Sequence, residues 1–131
     1  MRSIFGLVLS VAILLSGCKK NGELKTVHTQ KAGDYIVAIL SESGTMKNGA
    51  NDFTLEFRKA ADNQLVDVGP VEVAPVMEMA GMAPMMATST VTAGETPGRY
   101  HATGTLTMSG LWKFNVKFDG GQSVRINVNA E

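Results

Sequence analysis

Five methionines crowd into Val76–Ala87, which reads V-M-E-M-A-G-M-A-P-M-M-A: Met77, Met79, Met82, Met85 and Met86. A thioether sulfur is neutral, polarizable and soft. It therefore selects Cu(I) over Zn(II), Mg(II) or Ca(II). It needs no deprotonation, so such a site works at acidic pH, and it survives in an oxidising compartment where thiols pair. In extended backbone, Met77 and Met79 project to one face with Glu78 opposite. Gly81 and Pro84 break the strand, and the loop they make brings Met82 and Met85 back toward that face. Two other readings use the same residues. Methionine is an adaptable hydrophobe that fills irregular gaps in a core, and a flexible Met-rich surface suits protein contact.

Little else in the chain is reactive. The two histidines are His28, in a polar stretch that reads as solvated, and His101, which reads as an exposed strand residue but would sit beside the methionines if its strand neighbours them. Met108, ahead of Gly110 and Trp112, reads as core. The single cysteine, Cys18, excludes an internal disulfide and a multi-Cys metal site. There is no Gly-rich phosphate loop, no carboxylate pair for acid–base work and no calcium-loop spacing around Asp62 and Asp67. The expectation is a protein that is not an enzyme. Twelve basic and twelve acidic side chains give zero net charge, so nothing draws the chain to a nucleic-acid backbone.

Residues that do chemistry need elements to hold them, and here those elements are strands. Phe53, Leu55 and Phe57 alternate with Thr54, Glu56 and Arg58 over Asp52–Arg58. Trp112, Phe114, Val116 and Phe118 alternate with Lys113, Asn115 and Lys117 over Leu111–Asp119. Tyr35, Val37 and Ile39 share a face within Asp34–Ser41, as do Val124, Ile126 and Val128 within Gln122–Asn129. Period 2 with polar opposites marks half-buried antiparallel strands. Gln64–Val68, Val71–Met77, Ala87–Ala93 and Arg99–Met108 are further candidates. Turn residues separate them, notably Asn48-Gly49, Gly69-Pro70, Pro97-Gly98 and Gly120-Gly121, the last closing the most secure hairpin. No segment sustains a 3.6-residue apolar period. The pattern predicts an all-β, immunoglobulin-like antiparallel β-sandwich of seven to eight strands, with Trp112 as core anchor. A small barrel is the alternative.

The first residues stand apart from this pattern. Arg2 precedes the apolar run Ile4–Leu15, which is too short to span a bilayer as a helix. The run ends in Leu15-Ser16-Gly17-Cys18, which resembles the lipobox of bacterial lipoproteins. The resemblance implies cleavage before Cys18 and a lipid on Cys18, hence a membrane-attached protein. With Lys19 and Lys20 after the cysteine, it implies the periplasmic face of the outer membrane. The expected organisation is a signal peptide over 1–17, a lipidated, polar tether over 18–31 and the folded domain over 32–131. Losing Arg2 leaves eleven basic against twelve acidic side chains in the mature chain.

A run of short motifs gives a second resemblance. Gly33-Asp34-Tyr35 is followed by Lys47-Asn48-Gly49-Ala50-Asn51-Asp52-Phe53, then by Pro70–Val76 leading into Met77-Glu78-Met79-Ala80-Gly81-Met82. Pro97-Gly98-Arg99-Tyr100 and Met108-Ser109-Gly110-Leu111-Trp112 complete the order. From Ala32 to Val116 this resembles the YtkA-like / FixH-like domain family. Glu78 stands where relatives often have Pro, and no His lies between His28 and His101. The resemblance implies an extracytoplasmic immunoglobulin-like domain, associated in relatives with copper handling or heavy-metal efflux. It makes Met77, Met79 and Met82 the leading Cu(I) ligands, with Met85, Met86 and His101 behind them. A copper efflux or oxidase-assembly component is the partner class it suggests. The alternative is a metal-independent interaction or scaffold lipoprotein whose Met-rich loop contacts a partner protein.

Overall fold

The computed structural model describes residues 23–131. The expected signal segment 1–17, the lipid on Cys18 and the lysines after it lie outside the described residues. Nine strands follow in order: β1 Lys25–Ala32, β2 Tyr35–Ser41, β3 Gly49–Lys59, β4 Glu72–Met77, β5 Met85–Met86, β6 Thr88–Ala93, β7 Arg99–Leu106, β8 Gly110–Phe118 and β9 Gln122–Ala130. They form two antiparallel sheets, β1-β2-β3-β7-β6 and β5-β4-β8-β9. The edge strand β1 lies beside β9, and β6 lies beside β4.

The alternating segments do what their period dictates. Phe53, Leu55 and Phe57 of β3 face Trp112, Phe114, Val116 and Phe118 of β8, all buried, with Val37, Ile39, Ile126 and Val128 closing the layer. Aromatic rings interlock within and between the two sheets. Phe57 sits edge-on to Tyr100 at 5.4 Å and tilted against Phe118 at 5.0 Å, and Phe118 meets Tyr35 edge-on at 5.4 Å. Such offsets bring ring edges onto ring faces, the favoured quadrupole arrangement.

Two corners lock this core. Tyr100 sends its hydroxyl across to the Asp67–Gly69 segment. It donates to the Gly69 carbonyl at 2.8 Å and accepts from the Val68 N–H at 3.3 Å. The Gly98 carbonyl, just before it, accepts the Phe57 N–H at 2.8 Å. Gly98 has φ +89°, and a Cβ there would stand 2.9 Å from both the nitrogen and the oxygen of Val66. Only glycine meets both demands, which accounts physically for the Pro97-Gly98-Arg99-Tyr100 motif. At the other end the Trp112 indole N–H donates to the Met108 carbonyl at 2.9 Å, tying the Met108–Trp112 corner shut.

Four features depart from the sequence expectation. The stretch Lys25–Ala32, which falls almost wholly within the expected tether 18–31, is an edge strand paired to β2 from Lys25↔Ser41 to Ala32↔Tyr35. It is polar because an edge strand keeps much of its surface in water. The two-residue β5 is also new, and together they raise the strand count to nine. Gln64–Val68 is not a strand: it contributes a single bridge, Arg58↔Leu65. Its backbone is diverted by a left-handed Asn63 at φ 59° and by the Asp67 carboxylate, which accepts the Gly69 N–H at 2.9 Å. Finally, Thr54 and Glu56 face outward as expected yet are buried. The Glu56 carboxylate lies beneath Arg58 and Arg99, accepting from both Nε atoms, the latter at 2.9 Å.

Candidate functional site

The methionine segment occupies one end of the sandwich. Strands β4, β1 and β8 fix that end together: β4 finishes at Met77, β1 enters at Lys25 and β8 begins at Gly110. The β4–β5 register pairs Met77 with Met85 and Val76 with Met86. Directly opposed residues share a face, so Met77 and Met85 point together toward the core while Val76 and Met86 point out. Met79 returns to the Met77 side two residues later, and Met79 and Met85 are both half-buried against the core. The turn closes with the Met82 N–H donating to the Met79 carbonyl at 3.3 Å, which leaves Met82 at its tip.

The five sulfurs therefore have different environments. Met77 is 7 % exposed and its terminal methyl packs on Gly110. Met85 accepts a hydrogen bond from the Thr107 hydroxyl at 2.8 Å. Met82 and Met86 are 68 % and 72 % exposed. Three thioethers, those of Met77, Met79 and Met85, are brought to one side. Met82 caps the turn and Met86 faces away from them.

Glu78 points to the outer face, where its carboxylate accepts from Lys113 Nζ at 2.7 Å; that hydrogen bond holds the Glu78 carboxyl below its ordinary range. The carboxylate is thus engaged on the side opposite the methionines.

His101 is elsewhere. In β7 it pairs with Thr54 of β3 and Thr92 of β6, on the outer face of the five-stranded sheet. Its side chain points away from the core into a polar trough of about 960 Å³ that Asp52, Arg99 and Lys47 also line. Thr107, the residue that touches Met85, lies six positions further along the chain, so six strand residues, about 20 Å, separate His101 from the methionine turn. Met108, expected in the core, is 41 % exposed. The core methionines are instead Met77 and the fully buried Met46, whose carbonyl accepts the Glu131 N–H at 2.9 Å. His28 lies on β1 rather than in a tether and is half-buried on the face it shares with its partner Ile39. Among the described residues no three His, Cys, Asp or Glu side chains converge as a metal site.

Two stacked antiparallel sheets, crossed by chain connections at both ends and packed around Trp112, define an immunoglobulin-like β-sandwich module. The likeness extends to a solved structure, the crystal structure of the Lin-41 filamin domain. It is 13 % identical, aligned over 79 % of this chain and 98 % of that one with a TM-score of 0.51. At that identity the likeness is one of fold. The model of the YtkA-like family matches residues 29–117. The chain belongs to the YtkA-like family. No curated protein matches it.

Proposed function

We propose that this YtkA-like domain is a lipid-anchored, extracytoplasmic, non-catalytic binding module that takes up or passes on Cu(I) through its methionine turn. The observation that carries this reading is the β4–β5 register, which sets Met85 directly beside Met77 and leaves Met79 on the same side. Met79 and Met85 are half-buried, so a small soft cation reaches their sulfurs while bulk water is limited. Met82, at the tip of the turn, supplies a third thioether by rotation about its flexible side chain. Met77 stands behind them as packing and as a reserve ligand. Soft, neutral sulfur donors in low number match Cu(I) and leave hard divalent ions unbound. The partner class that fits is a copper efflux or oxidase-assembly component at the periplasmic face of the outer membrane, reached by a chain tethered through Cys18.

Anaerobic Cu(I) titration against a competing chelator tests this. The Met79→Leu/Met85→Leu variant should lose at least about 100-fold in affinity, the upper end of what losing one outer-shell partner costs a metal site, with its fold intact. Equal affinity in that variant overturns the proposal.

A second reading draws on the exposure of Met82 and Met86, 68 % and 72 %: the loop as a metal-independent contact for a partner protein. It predicts that Met82→Lys abolishes partner binding with no dependence on copper.

A further inference from the structure

The large hydrophobic side chains that the fold leaves exposed are Leu24, Met82, Met86, Met108 and Leu111. They come from three separate stretches of sequence, yet the topology gathers all of them at one end. Leu24 precedes β1, whose first residue pairs with Ser41 at the end of β2. Met82 tips the β4–β5 turn, and Met86 follows Met85, which the Thr107 hydroxyl touches at 2.8 Å. Met108 lies in the β7–β8 corner, and Leu111 is one residue into β8, paired to Asn129 beside the last residues of β9. Val76, half-buried, fills the outer face between Met86 and Lys113. The opposite end, with Asp34, Asp62, Glu95 and the Asp119–Gly121 turn, carries no such residue among those described.

Exposed apolar side chains concentrated at a single pole mark an interaction site, and the chain itself indicates the occupant. Leu24 belongs to this pole, and Cys18 stands six residues before it. Six residues reach about 20 Å at full extension, less than the length of the nine-residue strands β8 and β9, about 30 Å. A lipid on Cys18 therefore holds this pole at the bilayer and keeps the opposite one away. The charges around it are mixed, Lys25 and Lys47 with Glu42 and Glu131. Such a rim favours neither an anionic nor a cationic partner, and suits the zwitterionic headgroup region of a bilayer with apolar side chains inserted. The geometry points to this pole as a membrane-seating surface, with Met82, Met86, Met108 and Leu111 entering the interface beside the anchor. The inference rests on the lipid anchor of the proposed function and is independent of copper.

A single anchor leaves a domain free to tumble, whereas a second, apolar contact fixes its orientation. The full chain, lipidated in its host and reconstituted in phosphatidylcholine vesicles, separates these cases. Mass measurement of the Cys18 peptide reports the lipid. An environment-sensitive fluorophore is placed on Met86→Cys or Leu111→Cys at the pole, and on Glu95→Cys or Gly121→Cys at the far end. Seating predicts blue-shifted emission, lost to lipid-borne quenchers, at the first two positions only, and little change between low and high salt. Emission typical of water at all four positions with the lipid present overturns the seating surface while leaving the anchor intact. The same outcome is expected if the pole is reserved for a protein partner. Absence of lipid on Cys18 overturns the anchor and the seating with it.

Discussion

The terminal methyl of Met77 lies 3.1 Å from where a side chain on Gly110 would begin. The two residues belong to adjacent strands of the four-stranded sheet, and each defines the room left for the other. Gly110 also has φ +131°, a backbone conformation that disfavours any side chain. Gly110→Ala should therefore lower stability by about 1–3 kcal/mol, measured by urea denaturation. Shortening the opposing side chain in a Met77→Ala/Gly110→Ala double variant should recover only the steric part. The two single effects should then sum to more than the double.

Gly98→Ala should be the more damaging of the two glycine substitutions. Its Cβ would approach backbone nitrogen and oxygen of Val66 at 2.9 Å and the Phe57 carbonyl oxygen at 3.2 Å. Backbone cannot swing aside as the end of a methionine can. A lowered thermal midpoint, with a loss of about 3 kcal/mol or more, is the expected result.

Tyr100→Phe removes the hydroxyl that serves Val68 and Gly69 and leaves the Val68 N–H in a buried site without that partner. The cost should be about 1–3 kcal/mol by chemical denaturation. Burial raises the Tyr100 hydroxyl above the ordinary tyrosine value of 10.0. Because the folded state favours the protonated form, this contribution is intact below pH 10.0 and is lost as pH rises through the folded value. Tyr35 moves in the same direction, chiefly because it donates to the Asp119 carboxylate at 2.9 Å. Alkaline destabilisation should accordingly shrink in Tyr100→Phe and shrink further in the Tyr35→Phe/Tyr100→Phe pair.

Two paired carboxylates should differ in worth. Glu56 is buried beneath Arg58 and Arg99, whose side chains are 28 % and 43 % exposed. Glu56→Ala strips both cations of their acceptor, with water replacing it only in part, and should cost about 1–2 kcal/mol. Glu78→Ala, at a solvated carboxylate, should shift the unfolding midpoint far less than Glu56→Ala. Glu78 does carry a small acid dependence: its lowered value stabilises the fold above the ordinary carboxylate range, and this is lost as pH falls through the folded value.

The strands that bury a full face were legible because alternation is the physical signature of that burial. Phe53, Leu55 and Phe57 and the series from Trp112 to Phe118 needed no tertiary information. The β1 strand was not legible. Lys25–Ala32 sits at an edge, so its residues keep contact with water and its composition matches that of a tether. The register of the candidate site was half legible. Met77 and Met79 share a face, as extended backbone requires. The turn, however, is closed by the Met79–Met82 hydrogen bond, so Met85 rather than Met82 comes opposite Met77. The burial of Met77 depends on Gly110, far along the chain, and nothing local announces it. His101 is the exposed strand residue its alternation suggests, and its distance from the methionines follows from β7 joining β3 and β6 rather than β4.

Pro75 carries a consequence for the molecule in a crowd. It lies in β4, where its carbonyl accepts the Ala87 N–H at 3.0 Å on the side facing the short β5 and the start of β6. The missing N–H of proline falls on that same side, since amide and carbonyl of one strand residue point together. Pro75 is buried and its carbonyl is taken by Ala87, so this stretch of the rim offers an approaching chain neither a free donor nor a free acceptor. Copies at high local concentration meet edge to edge. A rim without a continuous donor row keeps such neighbours from zipping into shared sheets.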